Sequence, residues 1–418
     1  MHFFEYKDQE LYCEDTKISE IAQEVKTPFY LYSYATLERH FRVFDDAFNG
    51  IEHITCFSMK SNSNGAILKL FSQAGGGVDI VSGGELYRSL KAGVSADKIV
   101  YSGVGKTAEE IEYALKSGIL MFNAESPQEI IKLNEVAGST GKKARIAIRV
   151  NPDVDPQTHP YISTGLKKNK FGIDINESFE EYMKASKLDN IEVTGVSCHI
   201  GSQLTKVSPF VDALNKVKEL IARLETAGIK IKNLDLGGGL GVTYNDEKPP
   251  LPDEYADALK KTLGNMGLTL ILEPGRVIMA NSGILVTKVL YTKANEEKNF
   301  AVVDAAMNDL ARPSLYGSYH SIKPVKMDSL DIINVDIVGP ICESGDFLAK
   351  NREMPSLKQG DLLAVMSAGA YGFSMSSTYN SRPRVAEVMA KADKFYTIRE
   401  RETYEDLVRG EIIPEFLE

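Results

Sequence analysis

The sequence predicts an α/β protein with a (β/α)8 TIM-type barrel and a C-terminal antiparallel β-domain. Eight short apolar runs occur within the first 280 residues, and each of the first seven is followed by a helix-like segment. After residue 276 the pattern changes to strand-rich sequence without intervening helices. Eight strand–helix repeats are typical of this barrel, whose chemistry lies at the carboxyl ends of its strands.

The predicted barrel strands are almost continuously apolar, as expected of parallel strands that are covered on both faces. They are ITCFSMK (54–60), GVDIVSG (77–83), IVYSGV (99–104), LMFNAES (120–126), RIAIRVN (145–151), VTGVSCHIG (193–201), NLDLGGG (233–239) and LTLILEPGR (268–276). Between them, apolar residues recur every three or four positions over 210–224, which predicts a helix. Residues 107–110 resemble a capping box, and Gly118 ends the helix that follows.

The second predicted domain consists of alternating or β-branched segments joined by polar turns. These segments are 283–294, 299–306, 330–338, 361–367 and 384–399. We therefore predict a barrel domain at 27–278 and a β-rich domain at 279–418, to which residues 1–26 contribute. The loop 152–175 is long and polar, which is typical of functional or disordered loops, and we expect it to move. Whether it closes over the site stays open.

Composition excludes several classes of partner. A net charge of −10 and the absence of a long basic run argue against nucleic acid. The four cysteines are scattered without metal-ligand spacing, which favours reduced thiols and predicts neither a disulfide framework nor a metal site. No signal-peptide pattern and no apolar run of about 18 residues occurs. We predict a cytoplasmic protein without a membrane partner.

Two unusual side chains end predicted strands at the same rim. Lys60 closes the first run, where partial desolvation can turn a lysine into a Schiff-base nucleophile. A solvated lysine at a strand end is the alternative. His199 ends the sixth run and suits stacking on a flat cofactor, although it could equally be a hydrogen-bonded rim histidine. No second histidine stands at ligand spacing, which disfavours zinc.

Two glycine-containing loops follow strands seven and eight, the usual position of a phosphate site in such barrels. They are the triple glycine 237–239 and the segment Glu273, Pro274, Gly275, Arg276. The triple glycine alone would also suit a tight turn. A lysine, a phosphate loop, a stacking ring and a carboxylate that protonates a ring nitrogen together predict pyridoxal 5′-phosphate as cofactor.

Nine motifs across nearly the whole chain make it resemble the meso-diaminopimelate decarboxylases, a family of fold-type III pyridoxal-phosphate enzymes related to alanine racemase and ornithine decarboxylase. The motifs are FSMKSNSN, GGGVDIVSGGEL, YISTGLKKNKFGID, HIGSQLT, LDLGGGLG, EPGR, VDAAMNDLARPSLYGSYH, CESGD and GAYGFSMSSTYNSRPR. The resemblance implies a barrel with a C-terminal β-domain and a homodimer whose active sites are shared between subunits. Relatives often carry alanines beside the lysine, where this chain has Ser58 and Ser61.

The resemblance also implies residue roles. Lys60 corresponds to the lysine that binds the cofactor aldehyde, and His199 to the residue on its ring face. Further cofactor contacts correspond to Gly238, Glu273, Pro274, Gly275, Arg276 and Tyr371. The substrate-binding positions are Arg276, Arg312, Tyr316, Glu343 and Tyr371. Cys342 corresponds to a proton-donating cysteine delivered from the partner subunit. Taken singly, Arg312 and Glu343 would more often be surface charges and Cys342 an inert thiol.

The reaction implied is decarboxylation of meso-2,6-diaminopimelate at its D-centre to L-lysine and carbon dioxide, the last step of lysine biosynthesis by the diaminopimelate pathway. The main alternative is a basic amino-acid decarboxylase of the ornithine or arginine type, which has no use for a second carboxylate-binding arginine such as Arg312. Less favoured alternatives are a non-enzymatic pyridoxal-phosphate-binding protein and a small-ligand barrel without cofactor. Whether Cys342 itself or a water that it governs protonates the α-carbon stays open.

Overall fold

The structure, a computed structural model, describes residues 2–155, 170–328 and 331–417. The chain divides into two compact units. We call Glu38–Ile278 the barrel unit, and Met1–Leu37 together with Met279–Glu418 the β unit. No helix within the described ranges is both long enough and apolar enough to span a bilayer.

The chain begins in the β unit with a small antiparallel sheet of three strands, followed by a helix, a buried strand and a longer helix that runs into the barrel unit. These elements are β1 (Phe4–Lys7), β2 (Glu10–Cys13), β3 (Thr16–Lys17), α1 (Ile18–Val25), β4 (Phe29–Ser33) and α2 (Tyr34–Asp46).

The barrel unit alternates strands and helices, with one short extra strand. Its elements are β5 (His53–Ser58), α3 (Gly65–Gln73), β6 (Gly77–Ile80), α4 (Gly83–Ala92), β7 (Ile99–Tyr101), α5 (Ala108–Ser117), β8 (Met121–Ala124), α6 (Pro127–Ser139), β9 (Ala144–Asn151), β10 (Ile173–Asp174), α7 (Ile175–Ala185), β11 (Ile191–Cys198), α8 (Ser208–Thr226), β12 (Asn233–Asp235), α9 (Pro252–Leu263), β13 (Thr269–Leu272) and α10 (Arg276–Met279).

Eight of these strands close into a parallel barrel. The order is β5–β6–β7–β8–β9–β11–β12–β13, and β13 pairs with β5 to complete the ring. The two-residue strand β10 adds to β9 at the side. One apolar cluster inside the barrel takes a side chain from each of five strands: Cys56, Val100, Met121, Ala147 and Ile271. The predicted barrel is confirmed, and each of the eight apolar runs overlaps one of its strands.

The helices begin and end where local sequence chemistry predicts. Thr107 and Glu110 form a capping box at the start of α5, and Gly118 ends that helix in the left-handed conformation at φ +74°. Helix α8 buries eight side chains on one face, the stripe that the three- and four-residue spacing predicts. Because all eight strands are parallel, the loops after them meet at one rim.

The β unit continues after the barrel with strands joined mostly by turns. Its elements are β14 (Gly283–Ala294), β15 (Asn299–Val303), α11 (Arg312–Tyr316), β16 (Ile322–Pro324), β17 (Ile332–Val338), β18 (Phe347–Pro355), β19 (Leu362–Val365), β20 (Ala386–Lys391), β21 (Lys394–Arg399) and α12 (Tyr404–Leu407). The main path through its sheet is β18–β17–β15–β14–β4–β20–β21, with β19 on β14 and β16 on β19.

The predicted C-terminal β-domain is confirmed, but its sheet is mixed rather than wholly antiparallel. The pairs β15–β17 and β4–β20 run parallel, whereas the other pairs in this sheet are antiparallel. Strand β4 is responsible for one of the parallel pairs, because it enters from the N-terminal segment between β14 and β20.

The predicted boundary at residue 27 differs from the observed division at Leu37 and Glu38. All five residues of β4 are buried, and its Phe29 and Leu31 pack with Val286 and Val388 in the core of the β unit. A strand that is buried on both faces of a mixed sheet has the same short apolar sequence as a strand of a barrel. The sequence therefore does not reveal that β4 belongs to the second unit.

Candidate active site

Lys60 lies where the first barrel strand ends. Strand β5 stops at Ser58, and the 3-10 turn Met59–Ser61 follows it at the rim. The Lys60 Nζ donates a hydrogen bond of 2.7 Å to Oδ2 of Asp79, the penultimate residue of β6. Asp79 is fully buried and also accepts from the Ser58 hydroxyl at 2.9 Å. The predicted lysine is therefore held as one half of an ion pair with a buried carboxylate.

A second polar cluster joins the ends of β12 and β13. Asp235 is the last residue of β12 and Glu273 follows β13; both are buried. The Asn123 Nδ2 donates to Asp235 Oδ2 at 2.7 Å, and the Ser102 hydroxyl donates to Glu273 Oε1 at 3.3 Å. Asn123 and Ser102 are themselves hydrogen-bonded at 3.0 Å. Four strand ends thus contribute to one buried network.

Burial and like charge change the acidity of this network. Burial, and then the charges of Asp235 and Asp79, hold the pKa of Glu273 well above its ordinary value, while Lys60 acts in the opposite direction. Burial also raises the pKa of Asp235. Because two adjacent buried carboxylates repel each other, the pair keeps a shared proton to a higher pH than an isolated carboxyl would. A buried carboxyl of this kind suits a ring nitrogen that must stay protonated.

The triple glycine after β12 brings bare backbone to the rim. Gly237 and Gly239 have φ values of +64° and +123°, in the region that favours glycine. A Cβ on Gly238 would overlap the main-chain oxygen of Glu273. The Gly237 N–H donates to Asp235 Oδ1 at 2.8 Å, which fixes the turn to the buried network. Because these residues carry no Cβ, a ligand can approach the backbone of the turn closely, as an anion-binding loop requires.

The loop after β13 packs against the first strand. The Ser58 N–H donates to the Pro274 carbonyl at 3.0 Å, and a Cβ on Gly275 would lie 3.0 Å from the Ser58 Cβ. The predicted phosphate loop after strand eight therefore lies beside the turn that carries Lys60, and the glycine turn after strand seven packs against the same loop at Glu273. The serines at 58 and 61, which differ from many relatives, are accommodated: the Ser61 hydroxyl donates to the Ser58 carbonyl at 2.7 Å.

His199 follows β11 and is half-buried. Burial, together with the cations Arg149 and Lys60, lowers the pKa of its imidazole well below the usual range, so the ring is neutral. The Gly238 N–H points to His199 Nδ1 at 3.3 Å, which assigns the ring proton to Nε2. A Cβ on Gly237 would lie 2.6 Å from Nδ1, so the glycine also makes room for the ring.

Arg276 begins α10 and is 8% exposed. Its guanidinium donates to the Tyr244 hydroxyl at 2.7 Å and to the Ser202 hydroxyl at 3.1 Å. These two hydroxyls orient the guanidinium. A guanidinium held in this way at the rim suits the binding of an anionic ligand.

The remaining predicted residues lie in the β unit. Arg312 is the first residue of α11, is 6% exposed and donates to the Ser318 hydroxyl at 3.2 Å. Tyr316 ends the same short helix and is half-buried. Tyr371 is also half-buried and has a φ of +57°, which is unusual for a residue with a bulky side chain. Helix α11 thus presents an arginine and a tyrosine one turn apart.

Cys342 and Glu343 lie on an exposed loop after β17. The Cys342 N–H donates to Asn380 Oδ1 at 3.1 Å, and the Tyr379 hydroxyl donates to Glu343 Oε2 at 2.9 Å. These two bonds connect the CESGD loop with the loop that follows Tyr371. The cysteine and the acid therefore have defined positions while their side chains remain accessible to solvent.

Asp346, the last residue of the CESGD motif, also holds this loop in place. The Asp346 carboxylate accepts from the Met307 and Ile341 N–H groups, each at 2.7 Å. The Ser314 hydroxyl of α11 donates to the Gly345 carbonyl at 2.6 Å. Burial raises the pKa of Asp346. This acid organises the loop and is not accessible to a ligand.

The barrel unit brings seven predicted residues to one rim: Lys60, His199, Gly238, Glu273, Pro274, Gly275 and Arg276. Arg312, Tyr316, Cys342, Glu343 and Tyr371 belong to the β unit. Four further polar residues of the rim were not predicted: Asp79, Ser102, Asn123 and Asp235. A signal was present, because each is a polar residue that interrupts one of the eight apolar runs. The predicted mobile loop 152–175 falls largely on residues 156–169, outside the described residues.

Comparison with known proteins identifies the family. The sequence model of the pyridoxal-dependent decarboxylase, pyridoxal binding domain, matches residues 34–280. Diaminopimelate decarboxylase from Haemophilus influenzae is 53% identical to this chain over 97% of it and 98% of the relative. The chain belongs to the diaminopimelate decarboxylase family.

Solved structures of the family share the whole fold. The diaminopimelate decarboxylase of Helicobacter pylori, complexed with L-lysine, is 46% identical and superimposes with a TM-score of 0.91 over 94% of this chain and 98% of its own. The enzyme of M. jannaschii, also with L-lysine, is 39% identical and gives a TM-score of 0.95 over 99% of both chains. The predicted family and its fold are confirmed.

The chain is thus a pyridoxal-phosphate-dependent decarboxylase, as predicted. The rim fits that cofactor on its own geometry: two loops leave no room for side chains, a neutral ring lies beside them, and a buried carboxyl and a lysine complete the set. Asp79 Oδ1 and Asn123 Oδ1 are buried without a hydrogen-bond partner among the described residues. Within the same ranges, no group of three or more His, Cys, Asp or Glu side chains is placed to hold a metal ion.

Proposed function

We propose that this chain decarboxylates meso-2,6-diaminopimelate at its D-centre to L-lysine and carbon dioxide, as the last step of lysine biosynthesis by the diaminopimelate pathway. The observation that carries the proposal is the ion pair of Lys60 with buried Asp79, at the rim that also holds buried Glu273 with its raised pKa, in a chain of this family. A nucleophilic amine and a buried acid at one barrel rim are the groups that this chemistry requires.

The barrel residues would hold the cofactor. Lys60 would bind its aldehyde, the neutral His199 ring would cover one face, and Glu273 would meet the ring nitrogen. Backbone amides around Gly238 and Gly275 would receive the phosphate. Pyridoxal phosphate, when bound, supplies the electron-withdrawing ring that accepts the electron pair left when carbon dioxide departs. Asp79 keeps the Lys60 Nζ within hydrogen-bond reach and can take up or return its proton at Oδ2.

Arg276 and residues of the β unit would bind the substrate. Arginine pairs with carboxylates through two parallel hydrogen bonds, so Arg276 and Arg312 suit the carboxylate that is retained. Glu343 would pair with the distal ammonium, and Tyr316 and Tyr371 would complete the contacts. The bond between the D-centre carbon and its carboxylate breaks, and that carbon then gains a proton. We assign the proton to the Cys342 thiol or to a water bound by it.

We further propose a homodimer whose sites are shared between subunits. Cys342 and Glu343 are exposed in a single chain. The Cys342 N–H is nevertheless hydrogen-bonded to Asn380, and the Glu343 carboxylate to Tyr379. This arrangement suits residues that serve a partner's site. The location that we propose is the cytoplasm, since all four cysteines are free thiols.

A basic amino-acid decarboxylase is the competing function on the same fold. Buried Arg312 favours diaminopimelate, because a substrate with a cationic tail and one reacting carboxylate would not need a second arginine. The deciding experiment measures carbon dioxide release from meso-diaminopimelate and from ornithine, with and without added pyridoxal phosphate. Release from meso-diaminopimelate alone supports the proposal, whereas faster release from ornithine would reject it.

A further inference from the structure

Asp235 connects two parts of the barrel rim that are predicted to hold the cofactor, the glycine turn 237–239 and Glu273. It is fully buried at the end of β12, and each of its oxygens accepts a short hydrogen bond. Oδ1 accepts from the Gly237 N–H at 2.8 Å, and Oδ2 accepts from Asn123 Nδ2 at 2.7 Å. Its carboxyl is also hydrogen-bonded to Glu273. One side chain therefore reaches both the glycine turn and the acid predicted to meet the ring nitrogen.

The hydrogen bonds decide which acid carries the proton. Asp235 has two short bonds from strong N–H donors, which stabilise its ionised form. Glu273 Oε1 has weaker support, from the Ser102 hydroxyl at 3.3 Å and Asn123 Nδ2 at 3.5 Å. Two carboxylates in contact cannot both be ionised cheaply, so the better-supported one holds the charge. The proton then lies on Glu273 and is donated to Asp235.

We propose that Asp235 is a positioning residue: its buried negative charge keeps a proton on Glu273 and, with Asn123 as the bridge, fixes the Glu273 carboxyl. The inference rests on the proposed function in one respect, namely that Glu273 is the group opposite the cofactor ring. Its consequence is that the site carries the proton that a ring nitrogen needs before the cofactor arrives. Burial alone would give this effect over a narrower range of pH.

Other charged or titratable groups act on the pair and define what the test must control. The charge of Asp79 on β6 raises the pKa of Glu273, and the charge of Lys60 after β5 lowers it. The buried thiols Cys56 on β5 and Cys198 on β11 also sense the charge of Asp235. A substitution at Asp235 alters none of these four side chains, so Asp79 and Lys60 still act on Glu273 in the variant.

The test is a pH titration of the Glu273 carboxyl in the full-length chain after removal of the cofactor. Infrared difference spectra report the C=O stretch of a protonated carboxyl, and its loss in Glu273→Gln assigns the band. In Asp235→Asn the midpoint should move down by about 1–3 pH units, which is at least tenfold in the acid dissociation constant. Asp257→Asn, the same change at an exposed position of α9, should leave the midpoint unmoved.

A second variant keeps the test decisive if Asp235→Asn does not fold. Exchanging the two residues in Asn123→Asp/Asp235→Asn preserves side-chain volumes, the bond to Gly237 and a carboxylate next to Glu273. Its midpoint should return to within about half a pH unit of the unaltered chain, because the like charge is restored. If the role of Asp235 were purely structural, the midpoint of Glu273 would be the same in Asp235→Asn as in the unaltered chain, or the exchange would not restore a shifted midpoint. Either result overturns the proposal.

The holoenzyme provides an independent readout. With 15N-labelled pyridoxal phosphate, the nitrogen chemical shift reports whether the ring nitrogen is protonated. Asp235→Asn should lose that proton at lower pH than the unaltered chain, and an unchanged profile would contradict the inference. The infrared titration uses neither substrate nor cofactor. A shifted band in a chain that releases no carbon dioxide from meso-diaminopimelate would therefore reject the proposed function and leave the inference standing.

Discussion

The barrel rim and the CESGD loop of the β unit organise their polar groups in different ways. At the rim, Asp79, Asp235 and Glu273 are buried at strand ends, where they accept hydrogen bonds from side chains on other strands. In the loop, Cys342 and Glu343 are exposed and are held mainly through backbone and tyrosine contacts. One chain thus encloses the acids of its cofactor side by itself, whereas the residues predicted to donate a proton and bind the distal ammonium remain open.

Backbone conformation shows the same contrast. The acidic residues of the rim lie on or next to regular parallel strands, so their positions follow from barrel closure. The β-unit loops use residues other than glycine at positive φ, including Tyr371, Asn380 and Ser381. Such conformations persist only where surrounding contacts fix them. The β-unit loop that follows Tyr371 therefore depends on contacts such as the hydrogen bond between Asn380 Oδ1 and the Cys342 N–H.

The largest expected effect is at the rim. Lys60→Ala removes the amine that would bind the cofactor aldehyde, so the cofactor's visible absorbance should disappear and turnover should fall by about 10⁴-fold or more. Absorbance spectra and carbon dioxide release measure the two effects. Lys116→Ala, at an exposed position of α5, is the matched control and should change neither. Retention of either property in Lys60→Ala would remove the lysine from the site.

Cys342→Ala tests the exposed CESGD loop and should lower turnover by about 10²–10⁴-fold without affecting cofactor absorbance.

A mixture of Cys342→Ala and Lys60→Ala proteins tests whether Cys342 and Lys60 of one site come from different chains. If the sites are shared, half of the mixed dimers are heterodimers with one intact site each, and about a quarter of full activity should return. No recovery after demonstrated subunit exchange would mean that each site uses one chain only.

Arg312 is a buried cation of the β unit and is predicted to bind a carboxylate of the substrate. Arg312→Ala should reduce kcat/KM for meso-diaminopimelate by about 10- to 150-fold, the range for losing hydrogen bonds to a charged group. Arg312→Lys should recover little, because an ammonium does not reproduce the bidentate geometry. Arg409→Ala, an exposed change in the same unit, serves as control. An unchanged kcat/KM in Arg312→Ala would return the ornithine-type alternative to consideration.

The smallest expected effect concerns the stability of the β unit. Asp309 is 1% exposed, and burial raises its pKa to about 7. The folded protein therefore binds a proton that the unfolded chain, with an ordinary aspartate pKa near 4, has already lost. Its contribution to stability is full below about pH 4 and declines as the pH rises to about 7, by an amount on the order of 1–4 kcal/mol.

Unfolding midpoints at pH 5 and pH 8 check this prediction. The drop between the two pH values should be smaller in Asp309→Asn than in the unaltered chain, because an amide does not titrate. Asp15→Asn removes an exposed aspartate of the same unit and should leave the drop unchanged. Equal drops in all three proteins would show that Asp309 is ionised in the folded state at neutral pH.

Local sequence patterns were sufficient for the barrel and for much of its rim. Continuous apolar runs predicted parallel strands, and strand ends located Lys60 and His199 because turn position depends on neighbouring residues alone. Glycines at 237–239 predicted a bare backbone loop, and φ values of +64° and +123° show why side chains are excluded there. These features depend on short-range periodicity and turn chemistry, which any single sequence displays.

Tertiary structure alone decided the rest. Strand β4 lies in the β unit because it pairs with β14 and β20, partners that are more than 250 residues away in sequence. Ser102, Asn123, Asp235 and Glu273 form one network only because barrel closure brings four strand ends together. The raised pKa of Glu273 follows from that burial and from neighbouring charge. The sequence determined which chemical groups reach the rim, and the closed barrel determined which of them share a proton.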